Sequence, residues 1–254
     1  MMRIDLNADL GESFGPWAMG DDPAMLDIVT SANVAAGGHA SDPETMFRTL
    51  GLAAARGVVV GAHPGYPDRE GFGRRVIPMQ PAEIGRMVAA QVGALSALAQ
   101  MAGTAVRYVK PHGALGNLAA ADAEVARAIA AAVGALAPRL ALLAISGTAL
   151  EHAARAAGVE VFSEIFADRA YLADGQLVPR SRPGAVLHDP DAIADRLVRF
   201  LESREMPVLD GGTVRLDAHS ICVHGDTPGA VAIARAVRDR LTGAGVTLAP
   251  FLTA

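Results

Sequence analysis

Lysine appears once in this chain, at Lys110, although Lys and Arg together number 22. Every other cationic side chain of that kind is arginine. An amine can shift its pKa, lose a proton or act as a compact point charge, whereas guanidinium cannot titrate usefully. Keeping an amine only here therefore has a chemical reason available; a solvated lysine in an Arg-biased composition is the plain alternative. Cysteine also appears once, at Cys222. That excludes an internal disulfide and a zinc site of clustered thiolates, and leaves a core thiol as the ordinary role. Aromatics are only 4% of the chain, so packing must rest on Ala, Val, Leu and Gly. No basic excess exists: the net charge is −5 and no basic stretch is interleaved with aromatics, which argues against nucleic acid. The most apolar segment, 140–145, is far too short to cross a bilayer. The first residues, Met-Met-Arg-Ile-Asp, lack a signal peptide's apolar stretch. The expectation is a cytoplasmic protein with no membrane and no nucleic-acid partner. Local catalytic signatures are missing too. Ser146-Gly147-Thr148 has no GxSxG context, no HExxH or Rossmann glycine pattern occurs, and the sole lysine is followed by Pro111, which excludes a P-loop.

What the chain has is alternation. With 254 residues and 51% hydrophobic composition it can fill one large core, so residues 1–254 are expected as a single domain. Short apolar runs at 3–7, 29–35, 58–63, 105–109, 140–145, 159–163 and 220–223 read as strands. Helical patterns follow over about 41–57, 83–100, 122–136, 148–157, 189–201 and 229–241. Ser41 and Glu44 have capping-box spacing around Pro43, and Thr227-Pro228 have N-cap and N1 chemistry. Segments 171–179 and 208–216 read as hairpins, 246–249 as a closing strand, and 64–78 as a long Gly- and Pro-rich loop of the functional kind. Such alternation implies parallel strands with helices outside. An irregular (β/α)7 barrel, an α/β fold, would bring all the residues that follow strands to one mouth. A doubly wound open sheet is the alternative, and it would separate the early strand ends from the late ones.

On the barrel reading Asn7, Asp9, Glu12, His39, His63, Lys110, His112, Glu164, Asp168, His224 and Asp226 converge. The stretch Tyr108-Val109-Lys110-Pro111-His112-Gly113 sets the pattern: a strand ended by proline, then a turn that presents an amine and an imidazole. Histidines with carboxylates can hold a divalent metal that activates water, and the same groups without metal can serve as general acid and base. Arg169 and Arg180 flank the first hairpin and can clamp a carboxylate or phosphate; an ordinary loop salt bridge is the alternative. His224-Gly225-Asp226 places a helix start at the mouth, where backbone N–H groups can hold an anion or simply be capped.

Several of these stretches together resemble the LamB/YcsF family: Leu6-Asn7-Ala8-Asp9-Leu10-Gly11-Glu12, Ser31-Ala32-Asn33-Val34-Ala35, Gly61-Ala62-His63-Pro64-Gly65-Tyr66-Pro67-Asp68, Gly71-Phe72-Gly73-Arg74-Arg75, Val109-Lys110-Pro111-His112-Gly113-Ala114-Leu115, Ser163-Glu164-Ile165-Phe166-Ala167-Asp168-Arg169 and Ile221-Cys222-Val223-His224-Gly225-Asp226. The resemblance implies an irregular seven-stranded barrel similar to the glycoside hydrolase/deacetylase superfamily. It implies ATP-dependent opening of 5-oxo-L-proline (pyroglutamate) to L-glutamate together with 5-oxoprolinase subunits B and C. For that ring opening the chemistry of the side chains suggests a catalytic set of Asp9, Glu12, His39, Lys110 and His112. Asp9 or Glu12 would activate water, His112 or His63 would move a proton, and Lys110 would meet a developing oxyanion or phosphate. Substrate contacts would come from Asn7, His63, Glu164, Arg169, Arg180, His224 and Asp226. Related deacetylase-like barrels imply a divalent metal on Asp9, His63 and His112. The chain departs from the family in having Gly38 and Gly116 where an aromatic residue is usual, which would enlarge a pocket.

Three functions stay open at this point: one component of a cyclic-amide hydrolase, a metal-dependent deacetylase or carbohydrate hydrolase on a similar barrel, and a non-catalytic component that presents substrate to a partner.

Overall fold

Seven apolar runs become seven parallel strands whose hydrogen bonding closes on itself. The structure, a computed structural model, describes residues 2–226 and 229–253. In chain order the elements are β1 (Arg3–Leu10), α1 (Asp22–Leu26), β2 (Ser31–Ala35), α2 (Pro43–Arg56), β3 (Val59–His63), α3 (Pro81–Met101), β4 (Val106–Val109), α4 (Gly113–Ala121), α5 (Ala123–Gly134), β5 (Ala141–Ile145), α6 (Ala149–Ala156), β6 (Val161–Phe166), α7 (Pro190–Ser203), β7 (Glu205–Pro207), β8 (Thr213–Arg215), β9 (Ser220–Val223), α8 (Ala230–Gly243) and β10 (Thr247–Leu248). The sheet runs β1-β2-β3-β4-β5-β6-β9 and β9 returns to β1, so the barrel is closed. The open-sheet alternative is excluded. The expected closing strand, β10, pairs with the start of β1 outside this ring, and β7 with β8 forms a separate antiparallel hairpin.

Period-two alternation assigns the two faces of each strand. On β1, Ile4, Leu6, Ala8 and Leu10 join the apolar layer shared with the helices. Asp5, Asn7 and Asp9 meet side chains of other strands instead: Ser31 and Ser220 at Asp5, Asn33 and Ser220 at Asn7, and Asn33 and Lys110 at Asp9. Below this polar stack Val59, Tyr108, Ala141 and Leu143 form a small apolar plug, with Phe162 and Phe251 against it. Gly61 is in register with Tyr108, and a Cβ there would lie 2.2 Å from the Tyr108 ring. Glycine at 61 is thus the condition for a tyrosine inside the barrel.

The structure corrects several expected boundaries. β1 and β6 run on through Asp9 and Glu164, so those residues sit within strands and not after them. A helix not expected from the sequence, α4, starts directly at Gly113, and Asp122 ends it while capping α5. Asp42, not Ser41, caps α2: its carboxylate accepts the N–H groups of Glu44 and Thr45 at 3.0 Å, while Ser41 stands at φ 75°. An ionised side chain directly before Pro43 at N1 is the stronger cap for a helix start. The expected cap at Thr227-Pro228 lies outside the described residues; α8 follows Gly229, which is at φ 80°. Among the described residues, no helix is long and apolar enough to cross a membrane.

Candidate active site

The carboxyl ends of the strands enclose a cavity of about 400 Å³ lined by Asp9, His63, Lys110, His112, Glu164 and His224, and also by Arg74, Arg169 and Arg180. Parallel strands make this convergence unavoidable, because each contributes its last inward residues to the same end.

Lys110 stands at the centre and is 2% exposed. Its Nζ is 3.0 Å from Asp9 Oδ1, 3.0 Å from Cys222 Sγ, 3.4 Å from Asn7 Oδ1 and 3.1 Å from Glu164 Oε2. Four acceptors surround an amine with three protons, and Glu164 Oε2 is left without a hydrogen bond. Burial pushes the amine's pKa down, but Asp9, Cys222 and Glu164 together hold it well above the lysine range. Of the roles open to an amine, this setting favours the compact point charge. Its partner Asp9 is raised by burial, yet the neighbouring His63 and Lys110 outweigh that and hold its carboxyl well below the usual carboxylate range. Asn33 Nδ2 also donates to Asp9 Oδ1 at 2.8 Å. Asp9 Oδ2 remains, facing His63 Nε2 at 3.5 Å.

His63 and His112 are fixed by backbone carbonyls. His63 Nδ1 lies 2.7 Å from Lys110 O, and His112 Nε2 lies 2.8 Å from Phe72 O. A carbonyl only accepts, so those two nitrogens carry the hydrogens. The remaining nitrogens, His63 Nε2 and His112 Nδ1, then present lone pairs to each other at 3.0 Å. Two facing lone pairs repel unless a cation or a shared proton lies between them. Glu12 Oε1 is 3.7 Å from His112 Nδ1 and 3.0 Å from His39 Nε2, and His39 Nδ1 has no partner. Glu12, His39, His63 and His112 thus form a buried donor set whose ligand atoms lie within 4.8 Å of one another, and such a set can hold a metal ion. The implied set of Asp9, His63 and His112 shares both of its histidines with this cluster, and Asp9 Oδ2 lies 3.5 Å from His63 Nε2. Burial and then the Asp9 and Asp226 charges push the Glu12 carboxyl well up. Burial and the neighbouring imidazoles push His39 well down.

Part of the lining is cationic. Arg169 is 4% exposed, and its Nε and Nη2 donate to the carbonyls of Ala185 and Val178 at 3.2 and 2.5 Å. No carboxylate pairs with it among the described residues. Burial, followed by the like charge of Arg180, lowers its pKa to about 10. An unpaired buried guanidinium beside a cavity is a seat for an anion. Arg180 is exposed at the rim. His224 Nδ1 is 2.8 Å from Asp168 Oδ1, and Asp226 pairs with Arg74 at 2.6 Å.

Of the residues singled out from sequence, Asp9, His63, Lys110, His112, Glu164, Arg169, Arg180 and His224 line the cavity. Asn7 lies beneath it in the barrel, Glu12 and His39 stand behind His63 and His112, and Asp226 is on the rim. Sequence reasoning assigned no role to Asn33, which orients Asp9, or to the Phe72 carbonyl, which fixes His112. A polar residue inside the apolar run 31–35 was the available signal for Asn33; a backbone contact leaves none. Gly116 lines the cavity, as an enlarged pocket requires. Gly38 does not, because Gln91 fills the space above it while bonding both Gly65 N and Gly65 O.

The family model described as "LamB/YcsF family" matches residues 4–254. The chain is 53% identical over 254 residues to the 5-oxoprolinase A subunit of Nitrobacter hamburgensis, covering 100% of both chains. It is 55% identical over 251 residues to the protein of the same name from Nocardia farcinica, covering 99% of this chain and 100% of that one. Among solved structures, a lactam utilization protein from Thermus thermophilus superposes with a TM-score of 0.92 at 47% identity, over 98% of this chain and 99% of the other. A putative cellobiose-phosphate cleavage protein from Enterococcus faecalis shares the fold, with a TM-score of 0.59 at 11% identity over 98% and 97% of the two chains.

Proposed function

The chain belongs to the LamB/YcsF family, and from that premise we propose that it is the A subunit of a 5-oxoprolinase, a hydrolase of the C–N bond in 5-oxo-L-proline. The observation that carries this reading is Arg169, a buried cation without a carboxylate partner on the same cavity as Asp9, Lys110, His63 and His112. A small lactam acid places its carboxylate on Arg169, with Arg180 closing over it. Its amide carbonyl then reaches the Asp9–Lys110 side. Asp9 Oδ2, the oxygen not held by Lys110 or Asn33, accepts the proton of a water that adds to the carbonyl carbon. Lys110 keeps Asp9 ionised and supplies positive charge near the developing oxyanion. Glu12, His39, His63 and His112 are the residues that would hold a divalent metal, and a metal there would supply Lewis acidity and an activated water.

A lactam amide is stable at neutral pH, so coupling to ATP is chemically sensible. Neither a P-loop nor a Rossmann glycine pattern is present in the sequence. The economical division is that partner subunits B and C carry out ATP-dependent activation and this barrel completes the ring opening. A labile intermediate requires docking at the mouth. That rim carries the chain's one tryptophan, Trp17, 68% exposed and stacked on Phe14, with Arg69 of the 64–78 loop 4.1 Å above the Phe14 ring. The test is glutamate release from 5-oxo-L-proline. The chain alone should neither hydrolyse ATP nor release glutamate, and with both partners present both activities should appear. ATP-dependent ring opening by the chain alone would overturn the division of labour. Absence of glutamate from the full assembly, with acetate released from an acetylated sugar instead, would select the deacetylase reading that the His–Glu cluster supports.

A further inference from the structure

Across the cavity from His63 and His112 stands another histidine with an unengaged nitrogen. His224 follows β9, and Asp168 follows β6, the strand beside it. In the closed order β9 lies three strands from β3 and three from β4, the widest separation a ring of seven allows. The two Asp168 oxygens are 2.8 and 2.9 Å from His224 Nδ1. A carboxylate accepts, so Nδ1 carries the hydrogen. Asp168 is 1% exposed, and the imidazole stacks on Phe166 with ring centres 5.0 Å apart. Tautomer and ring plane are therefore both fixed. His224 Nε2 has no protein partner among the described residues, and the side chain lines the cavity.

Arg169 follows Asp168 directly in the chain. In a lactam acid such as 5-oxoproline the ring nitrogen is bonded to the carbon that bears the carboxylate. A carboxylate seated on Arg169 therefore leaves the nitrogen on the His224 side of the cavity and turns the carbonyl carbon towards Asp9. We propose that His224 is the catalytic acid that protonates the leaving ring nitrogen, with Asp168 as its positioning residue; this rests on the lactam-hydrolase reading above. Once water has added, the C–N bond of the tetrahedral adduct breaks and its electron pair stays on nitrogen. An unprotonated amide nitrogen is too basic to leave, so the proton on Nε2 of the imidazolium moves to it. Asp168 balances the imidazolium charge before transfer and holds the neutral Nδ1–H form after it. The proton that Asp9 takes from water restores the imidazolium, so the net change is hydroxide on carbon and hydrogen on nitrogen. The charged groups around the dyad are Asp9 from β1, Arg169 and Arg180 beside Asp168, and the Arg74–Asp226 pair at the rim.

The experiment uses the assembled enzyme with ATP and 5-oxo-L-proline. His224→Gln should lower kcat at least about a hundredfold, the lower range for general acid catalysis, with KM changed less than threefold. It should also abolish the fall in activity on the alkaline side that a required acid imposes. Asp168→Asn should lower kcat in the same direction. In the chain alone, nitrogen NMR should find neutral His224 protonated on Nδ1 and should show that preference lost in Asp168→Asn. An unchanged kcat in His224→Gln, or a rise in KM alone, would return His224 to substrate binding and overturn the proposal. So would an Nε2–H tautomer in the unmodified chain. Failure of the unmodified assembly to make glutamate refutes the lactam reading, and the tautomer measurement still decides the dyad. Melting curves check the fold of both variants; if His224→Gln unfolds, Asp168→Asn decides.

Discussion

Lys110 is an amine among acceptors arranged for a compact, three-proton cation. A planar guanidinium cannot reproduce that geometry in the same volume. Lys110→Arg should therefore lower turnover at least tenfold, about 1.4 kcal/mol, and cost about 1–3 kcal/mol of stability from overpacking. Steady-state kinetics and a denaturant melt read the two separately, and unmodified turnover in a stable variant would remove Lys110 from the chemistry. Asp5, at the other end of the same polar stack, behaves oppositely. Burial, against the hydrogen bonds of Ser220, Thr30 and Ser31, raises its carboxyl to about 6. A carboxyl raised in the folded state favours folding at low pH, and that contribution is lost as pH rises from its unfolded range through the folded value. The unmodified protein should lose about 2 kcal/mol relative to Asp5→Asn between pH 4 and pH 7. Parallel melts at the two pH values test this, and equal pH slopes would show that Asp5 does not titrate in the folded chain.

At the level of elements, the Asp42 carboxylate both caps α2 and accepts the Gly15 N–H at 2.8 Å, tying the loop after β1 to that helix. Asp42→Ala should cost about 1 kcal/mol or somewhat more, read from chemical denaturation, while Ser41→Ala should cost much less than the lost cap. The reverse order would restore Ser41 as the cap. This misplacement shows where the sequence was readable. Strand and helix alternation was legible because apolar periodicity follows directly from which face is buried, and six of the helices follow patterns visible in the chain. Helix α4 was not, because its glycines, Gly113 and Gly116, argue against a helix locally. In this backbone a Cβ at position 116 would lie 2.7 Å from the Pro111 carbonyl oxygen. The gathering of Asp9, His63, Lys110 and His112 was legible as strand ends of one barrel. That Glu12 and His39 stand with His63 and His112 was not, since only the side-chain rotamers behind the cavity wall decide it. Nor did any pattern show that Lys110 would be saturated by Asn7, Asp9, Glu164 and Cys222.

For the molecule as a whole, the donors Glu12, His39, His63 and His112 come from four consecutive strand ends, β1 to β4. An ion bound there would tie those strands together and bind only the folded chain. At a concentration a hundredfold above its dissociation constant it should stabilise the fold by about 2.7 kcal/mol, raising the melting temperature by several degrees. His39→Asn, which touches the donor set without lining the cavity, should abolish that rise. A melting temperature indifferent to Zn²⁺ and Mn²⁺ would reject the set as a metal site. The closure of β1 on β9 has a further consequence, one of timing. Asp5 pairs with Ser220 and Ala8 with Val223, so β1 finds one of its ring neighbours only after every stave between them has been made. At roughly 5–20 residues per second, β1 waits tens of seconds with one edge unpaired, and Asp5 and Asn7 wait as long for Ser220. Closure of this barrel thus awaits β9, and a chain halted before it would offer both β1 and β6 as open edges to any other strand in reach.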